Sequence, residues 1–450
     1  MPKILNILRN AGPVSLTVAA MALAAPYATA GDMLDSTQSK EDARRAHSGA
    51  KITFETNPGN KDTANSDSER VNENYQAKGY ELGIFLLLPK VEVDEVYNSN
   101  IFAAQSNKKA DTITVIRPEM KLRSRGTDHE LTCTVAAENF RYKSFSHDDR
   151  TELEGNVDGR YDFSSRTQAT LFTSLYSRHE DRGSPDDAHG LEPTPTRGSN
   201  NRLGLKHQFN RLTIFGQVEA NRFAFGNVTG SDGSMTVNSD RNRWEFLARE
   251  RASYEIFPGY AAVVEVSENT HVFDRDLDRN GYNRNNSGYR TEAGIGVDIS
   301  ELVRGDFLVG YYQQNYKDSR FQDPSGLSWR ATFNWTPTKL TIVIPSFERT
   351  VAETTTLQAS ALVRNVFSVT VRHELQRNII LTGTGSVSYE QLSGVGGQNA
   401  WNYEGRAKAI YAFTREFYVG AEIAYKTKNS QLADGGYRQM TSMVRLGVQY

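Results

Sequence analysis

The feature that most constrains this chain is a two-residue alternation of uncharged and polar or charged side chains. It begins near Gly83 and recurs to the last residue. Glu152 to Phe163 shows it fully. Leu153, Gly155, Val157, Gly159, Tyr161 and Phe163 share one face, and Glu152, Glu154, Asn156, Asp158, Arg160 and Asp162 share the other. Successive side chains of a strand point to opposite faces, so this run is a strand with one uncharged and one densely charged face. Leu327-Trp329-Ala331-Phe333-Trp335 against Ser328-Arg330-Thr332-Asn334 repeats the division. So does Tyr403-Gly405-Ala407-Ala409-Tyr411-Phe413 against Asn402-Glu404-Arg406-Lys408. A soluble sheet normally puts its apolar face in a core. The many small residues on the uncharged face here are easier to reconcile with lipid. The mean hydropathy of −0.58 does not argue for a soluble protein, because barrel strands average a lipid face with a lumen face.

The connections alternate in length. Phe163-Ser164-Ser165-Arg166, Phe209-Asn210-Arg211-Leu212, Phe257-Pro258-Gly259-Tyr260, Trp335-Thr336-Pro337-Thr338 and Phe413-Thr414-Arg415-Glu416-Phe417 are short. Arg182 to Asn200, Asn227 to Asp240 and Asp274 to Ser287 are long and polar. Short periplasmic turns and long extracellular loops are the arrangement of bacterial outer-membrane barrels. Aromatics beside the short turns form one expected interfacial girdle; Trp244, Tyr289, Trp329 and Trp401 form the other. The fold class is therefore all-β, a transmembrane antiparallel β-barrel of about 18 strands (16–18), an even number that leaves both wall ends in the periplasm. The expected strands start at 84–97 and end at 437–450, with 201–209, 338–350 and 355–374 among them. Glu250 and Arg222 fall on the lipid-facing register, which points to an interface or a bulge. Cys133, between Leu131 and Val135, reads as a small lipid-facing residue, and a single Cys excludes an internal disulfide framework.

Residues 1–30 read as a cleaved export signal. Lys3 and Arg9 are basic, Val14 to Ala25 is mostly apolar, and Ala28-Thr29-Ala30 supplies the small-x-small cleavage pattern. Residues 31–80 read as a disordered periplasmic lead-in, since Asp35 to Glu73 cannot bury enough apolar area to offset its ordering entropy. Residues 81–450 are the barrel. In the last strand Val444, Leu446, Val448 and Tyr450 alternate with Arg445, Gly447 and Gln449. Arg445, Gly447, Val448 and Tyr450 resemble the C-terminal signal read by the barrel-assembly machinery, an expected partner. The last strand must pair with the first, because an open edge in lipid leaves backbone groups unsatisfied.

No catalytic constellation accompanies the eight His residues, so no enzyme activity and no cofactor are expected. The formal net charge of −2 gives no overall basic bias toward nucleic acid. Asp274, Asp276, Asp278 and Asn280, followed by Gly281, match the first half of a calcium loop. Ser287 stands where the bidentate Glu belongs, so the alternative is a polar loop against lipid and lipopolysaccharide. The expected lumen lining mixes both signs: Glu152, Glu154, Asp158, Arg160, Arg249, Arg251, Glu265, Arg330, Arg406, Lys408 and Glu422. Such rings tune passage through a water-filled barrel, and inward Tyr176 and Tyr418 are candidates to stack on sugar rings.

Gly83-Ile84-Phe85-Leu86-Leu87-Leu88-Pro89-Lys90-Val91, Val96-Tyr97-Asn98-Ser99-Asn100-Ile101-Phe102, Asp111-Thr112-Ile113, Arg117-Pro118 and the Arg123-to-His129 hairpin together resemble the β-barrel porin type 2 family. Arg182-Gly183-Ser184, the Pro193/Pro195 loop and Phe209-Asn210-Arg211-Leu212 extend the likeness over about 80 to 450. Tyr97-Asn98-Ser99-Asn100 departs slightly, lacking an acidic residue before the final Asn. Members are often encoded with exopolysaccharide and capsule genes. The resemblance implies an outer-membrane pore exporting secreted polysaccharide, with periplasmic polysaccharide-export proteins as partners. A general diffusion or sugar-uptake porin and a non-conducting structural or adhesion barrel are the alternatives.

Overall fold

Alternating segments of this length fold as strands of 13 to 16 residues, longer than the roughly 9–11 residues that cross a bilayer at a tilt. The computed structural model describes residues 75–450, apart from 127–128, 185–189, 231–232, 300–301, 355, 357, 395–398 and 432–434. The export signal, and the lead-in as far as residue 74, lie outside the described residues. In chain order the wall strands are β1 (Phe85–Asn98), β2 (Asp111–Ser124), β3 (His129–Tyr142), β4 (Arg150–Ser164), β5 (Thr167–His179) and β6 (Pro195–Phe209). Then come β7 (Leu212–Phe225), β8 (Arg243–Phe257), β9 (Tyr260–Phe273), β10 (Asn286–Ile299), β11 (Val303–Tyr316) and β12 (Ser325–Thr338). β13 (Thr341–Glu353), β14 (Ala361–Gln376), β15 (Ile379–Leu392), β16 (Asn399–Ala412), β17 (Phe417–Ser430) and β18 (Tyr437–Gln449) complete the series.

Each strand pairs antiparallel with the next, and β18 pairs back onto β1 from Lys90↔Gln449 to Asn98↔Thr441. The wall is a closed barrel of 18 strands, and closure removes both sheet edges. A strand spacing near 4.8 Å and a tilt near 40° make such a wall about 35 Å across between opposite backbones. Before it, Tyr80–Leu82 turns at Gly83, which has φ +62°, and pairs with the start of β1. The barrel fold thus begins within the stretch assigned to the lead-in.

Three expected strands shift by three residues or more, one of them from 338–350 to Thr341–Glu353. β6 starts at Pro195, six residues before the expected 201, because a proline that opens a strand forfeits no essential ladder bond. β14 starts at Ala361 rather than 355.

Burial follows the alternation. Leu153, Leu171, Leu203, Phe307 and Val444 are exposed on the outer face, while Glu152, Glu265 and Glu292 on the other register are buried. The short-turn end carries Phe163, Phe209, Phe257, Phe413 and Phe417, all exposed, and the long-loop end carries Trp244, Tyr289 and Trp401. Arg222 lies near the long-loop end, bidentate to Asp274 at 2.8 and 2.6 Å. Glu250 is different. It sits mid-strand between Gly216 and Val266 in an unbroken ladder, so neither a bulge nor strand-end placement accounts for it.

Candidate functional site: the lumen and its mouth

The charged face of every strand points inward, and its side chains are largely paired. On β4, Glu152 accepts from Arg150 at 3.1 Å, Glu154 from Arg178 at 2.7 Å, and Arg160 meets Glu130 at 2.9 Å. Asp158 is exposed on the same face. On β8 and β9, Arg249 and Arg251 both reach Glu265, at 3.3 and 3.2 Å, and Arg251 also bonds Asp306 at 2.6 Å. Arg330 bridges Glu265 and Glu292 at 2.7 and 3.2 Å. On β16, Arg406 binds Glu422 and Glu404, and Lys408 stands opposite Glu422 in the ladder. Opposite charges at contact distance cancel locally, so this wall shows fixed dipoles rather than a field of one sign.

The two tyrosines expected to stack on sugars do not present their faces. Tyr176 is 2% exposed beneath the Arg178 guanidinium, and Tyr418 is 9% exposed and donates to Glu92 at 2.5 Å. Alternation places a ring inward but does not say what covers it.

The closing seam carries the tightest grouping. Arg445 is bidentate to Asp94 at 2.7 and 2.8 Å and also bonds Glu92, and Arg117 pairs with Asp94 from the other side. A Cβ at Gly447 would collide with the Tyr418 ring. Val448 faces outward opposite Val91, and Tyr450 stacks on Tyr80 at 4.2 Å. The residues expected as an assembly signal therefore sit where the last strand clasps the first.

At the long-loop end, arginines tie one connection to the next. Arg182 binds Asp148 at 2.8 Å, together with the carbonyls of Gly190 and Leu191. Arg241 is bidentate to buried Glu180. Arg279 holds Asp240 at 2.8 and 2.9 Å. Arg284 joins Asp278 at 2.7 Å to the carbonyls of Thr354 and Ala359. Burial disfavours the ionised form of Asp240, yet the Arg279 hydrogen bonds outweigh it and hold the carboxyl below the usual range. Asp274 and Asp278 of the calcium-like loop are thus engaged by Arg222 and Arg284. Asp276 and Asn280 lie in the same loop, with the Asn280 N–H donating to Asp278 at 2.8 Å. Among the described residues, no group of three His, Cys, Asp or Glu is arranged to hold a metal ion.

One connection reaches inward. Asp181 meets Lys426 of β17 at 3.8 Å, and Gly183 packs against the Tyr437 ring on β18. β5 and β17 are six strands apart around the wall, so residues 181–183 cross part of the lumen. No local sequence signal marks this reach, since glycine's fit against Tyr437 depends on a partner more than 250 residues away.

A family model described as "Putative beta-barrel porin 2" matches residues 73–450. The chain belongs to that family. The porin is a bacterial outer-membrane β-barrel channel by this membership, and no curated protein matches it. Solved structures with similar folds include OccK3 (OpdO) of Pseudomonas aeruginosa, at 12% identity and TM-score 0.40, over 81% of this chain and 95% of that one. OpdK of the same organism aligns at 8% identity and TM-score 0.42, over 81% and 99%. OprD aligns at 11% identity and TM-score 0.40, over 85% and 98%.

Proposed function

We propose that this porin is a passive channel through which a secreted polysaccharide leaves the periplasm. The observation that carries the reading is the charge-compensated lumen of a closed 18-strand wall. Arg330, Arg406 and Arg445 each already face carboxylates, so a hydroxyl-rich chain would meet hydrogen-bonding groups without an ion sink to arrest it. Conduction needs contacts weak enough to leave as well as to enter. Direction would come from synthesis or from periplasmic export proteins, because no catalytic group is needed along the path.

The inward reach of 181–183 supports a second reading, uptake of small sugars through a narrowed mouth. A non-conducting adhesion barrel is the third. Deletion of the gene, followed by localisation of surface polymer, separates them together with planar-bilayer recording. Export predicts polymer retained in the mutant's periplasm. Normal surface polymer with steady small-solute conductance sinks export in favour of uptake, and absence of conductance leaves the adhesion barrel.

A further inference from the structure

The wall is not continuous between β12 and β13. Their ladder runs from Thr338↔Thr341 only to Arg330↔Glu348. Above that rung, 325–329 pair with β11 and 349–353 pair with β14, but not with one another. Five positions per strand make a break of about 16 Å at the usual rise of a strand. It is the longest interruption among the described strand pairs.

The register explains why the strands part. Phe347 faces outward, opposite Phe367, so Arg349, Val351 and Glu353 share that outward register. Zipping the seam would turn a guanidinium and a carboxylate onto the lipid-facing surface, which costs free energy. Instead the end of β13 tucks inside the neighbouring wall. Glu353 bonds His271 of β9 at 2.6 Å and Asn286 of β10 at 2.8 Å, and the Arg349 carbonyl accepts from Arg290 at 3.0 Å. Val351 packs on Tyr316, Phe321 and Ala361. The barrel laps over itself here like the edges of a scroll.

The lap holds polar atoms with no bond inside the protein. The Arg349 guanidinium lies 4.9 Å from the outward Trp329 ring and 5.5 Å from the inward Tyr312 ring. Arg349 Nε, Trp329 Nε1, the Tyr316 hydroxyl and Glu353 Oε2 are buried without a hydrogen-bond partner. Tyr316 and the Glu353 side chain are each only 9% exposed. Buried polar groups left open in this way imply something that satisfies them. Outside the lap, Leu327 is 60% exposed to the hydrocarbon.

We propose that the β12–β13 lap is a lateral portal for the saccharide headgroup of an outer-leaflet amphiphile. The sugar enters at the edge of the Trp329–Arg349 contact, its hydroxyls meeting Trp329 Nε1, Glu353 and Tyr316, while the alkyl chain stays outside along Leu327. An indole N–H with flanking donors and acceptors suits a hydroxylated ring, and an apolar exterior beside a polar cleft suits an anchored one. The portal rests on the membrane barrel and not on the exported cargo, so a negative deletion result leaves it standing.

The test uses the full barrel in phospholipid nanodiscs, with Trp244, Trp335 and Trp401 replaced by Phe so that fluorescence reports Trp329. Dodecyl maltoside is titrated against maltose. Saturable response to dodecyl maltoside is expected at a concentration at least about tenfold below that for maltose. The Arg349→Leu/Glu353→Leu variant should weaken it about tenfold, as loss of charged hydrogen bonds does. In that variant, backbone amides of 325–329 and 349–353 should gain exchange protection as the ladder zips. Equal response to maltose would mean a lumen sugar site and overturn the portal. A response unchanged in the double variant would mean ordinary annular contact and overturn it too. Full amide protection of both segments in the unsubstituted wall would show that no lap exists.

Discussion

At Gly447 the Tyr418 ring occupies the space a methyl group would need, and that ring is fixed by its bond to Glu92. Gly447→Ala should therefore cost about 1–3 kcal/mol, the range for overpacking a filled site. Urea unfolding in detergent measures it, and an unshifted midpoint would refute the account. Glu250 is the opposite case. Its register neighbours Gly216 and Val266 offer it no charge, and its face is the lipid one. Glu250→Leu should stabilise the barrel by about 1 kcal/mol, since acidic residues on a lipid face cost less than the roughly 2–4 kcal/mol of basic ones. A loss of stability would mean that the carboxylate has an undetected partner. Alternation made Arg445 and Gly447 legible in the sequence as polar and small inward positions. It could not show Asp94 as the partner of Arg445, because the two are separated by 351 positions.

Elements differ in how much their own sequence decides. Strand positions, β6, β13 and β14 apart, were readable to within a residue or two because a period of two requires no knowledge of neighbours. The loop ties were not, since Arg241 with Glu180, and Arg284 with Thr354, obey no local spacing. The signal for the β12–β13 break was present in Val343-Pro345-Phe347-Arg349-Val351-Glu353, where two charges follow an outward-facing aromatic; it needed the register to be interpreted. Glu180→Gln leaves the Arg241 charge buried and half-satisfied, a loss of about 3–5 kcal/mol for such pairs. Faster amide exchange at 180–184 and 190–194 is the expected result, and unchanged exchange would show the tie to be idle. The mouth also has an acid limit. Asp240 has a folded pKa below its unfolded one, and so does Asp318, chiefly through its bond to Arg320. Such groups stabilise the fold above the unfolded carboxylate pKa and cease to do so as pH falls through the folded value. Local opening around 274–285, read as amide exchange relative to that of the unfolded chain at the same pH, should be flat from about pH 8 to 5 and rise below about pH 4. A rise near neutrality would implicate a histidine instead.

For the whole molecule, closure joins the first wall strand to the last, a contact of very long sequence separation whose loop entropy must be met before the contact contributes. The expectation of about 18 strands rested on the two-residue alternation and the turns between runs, and it agrees with the closed wall. The inward loop and the lapped seam lay beyond that reading, because each depends on which distant strands become neighbours. A chain ending at Ser430 should bind membranes without gaining protease resistance, which limited proteolysis can check; a resistant truncated barrel would show that β17 can close on β1.

That outcome follows from the Asp94 clasp. Asp94 is fully buried and held by Arg117 and Arg445, so before β18 arrives its inner wall carries acid with only half its neutralising charge. A wall that lacks its last strand keeps this electrostatic fault at the β1 edge, one of the two edges that β18 would cover. The carboxylate near the start of the wall is thus fully satisfied only once the last strand has paired with the first.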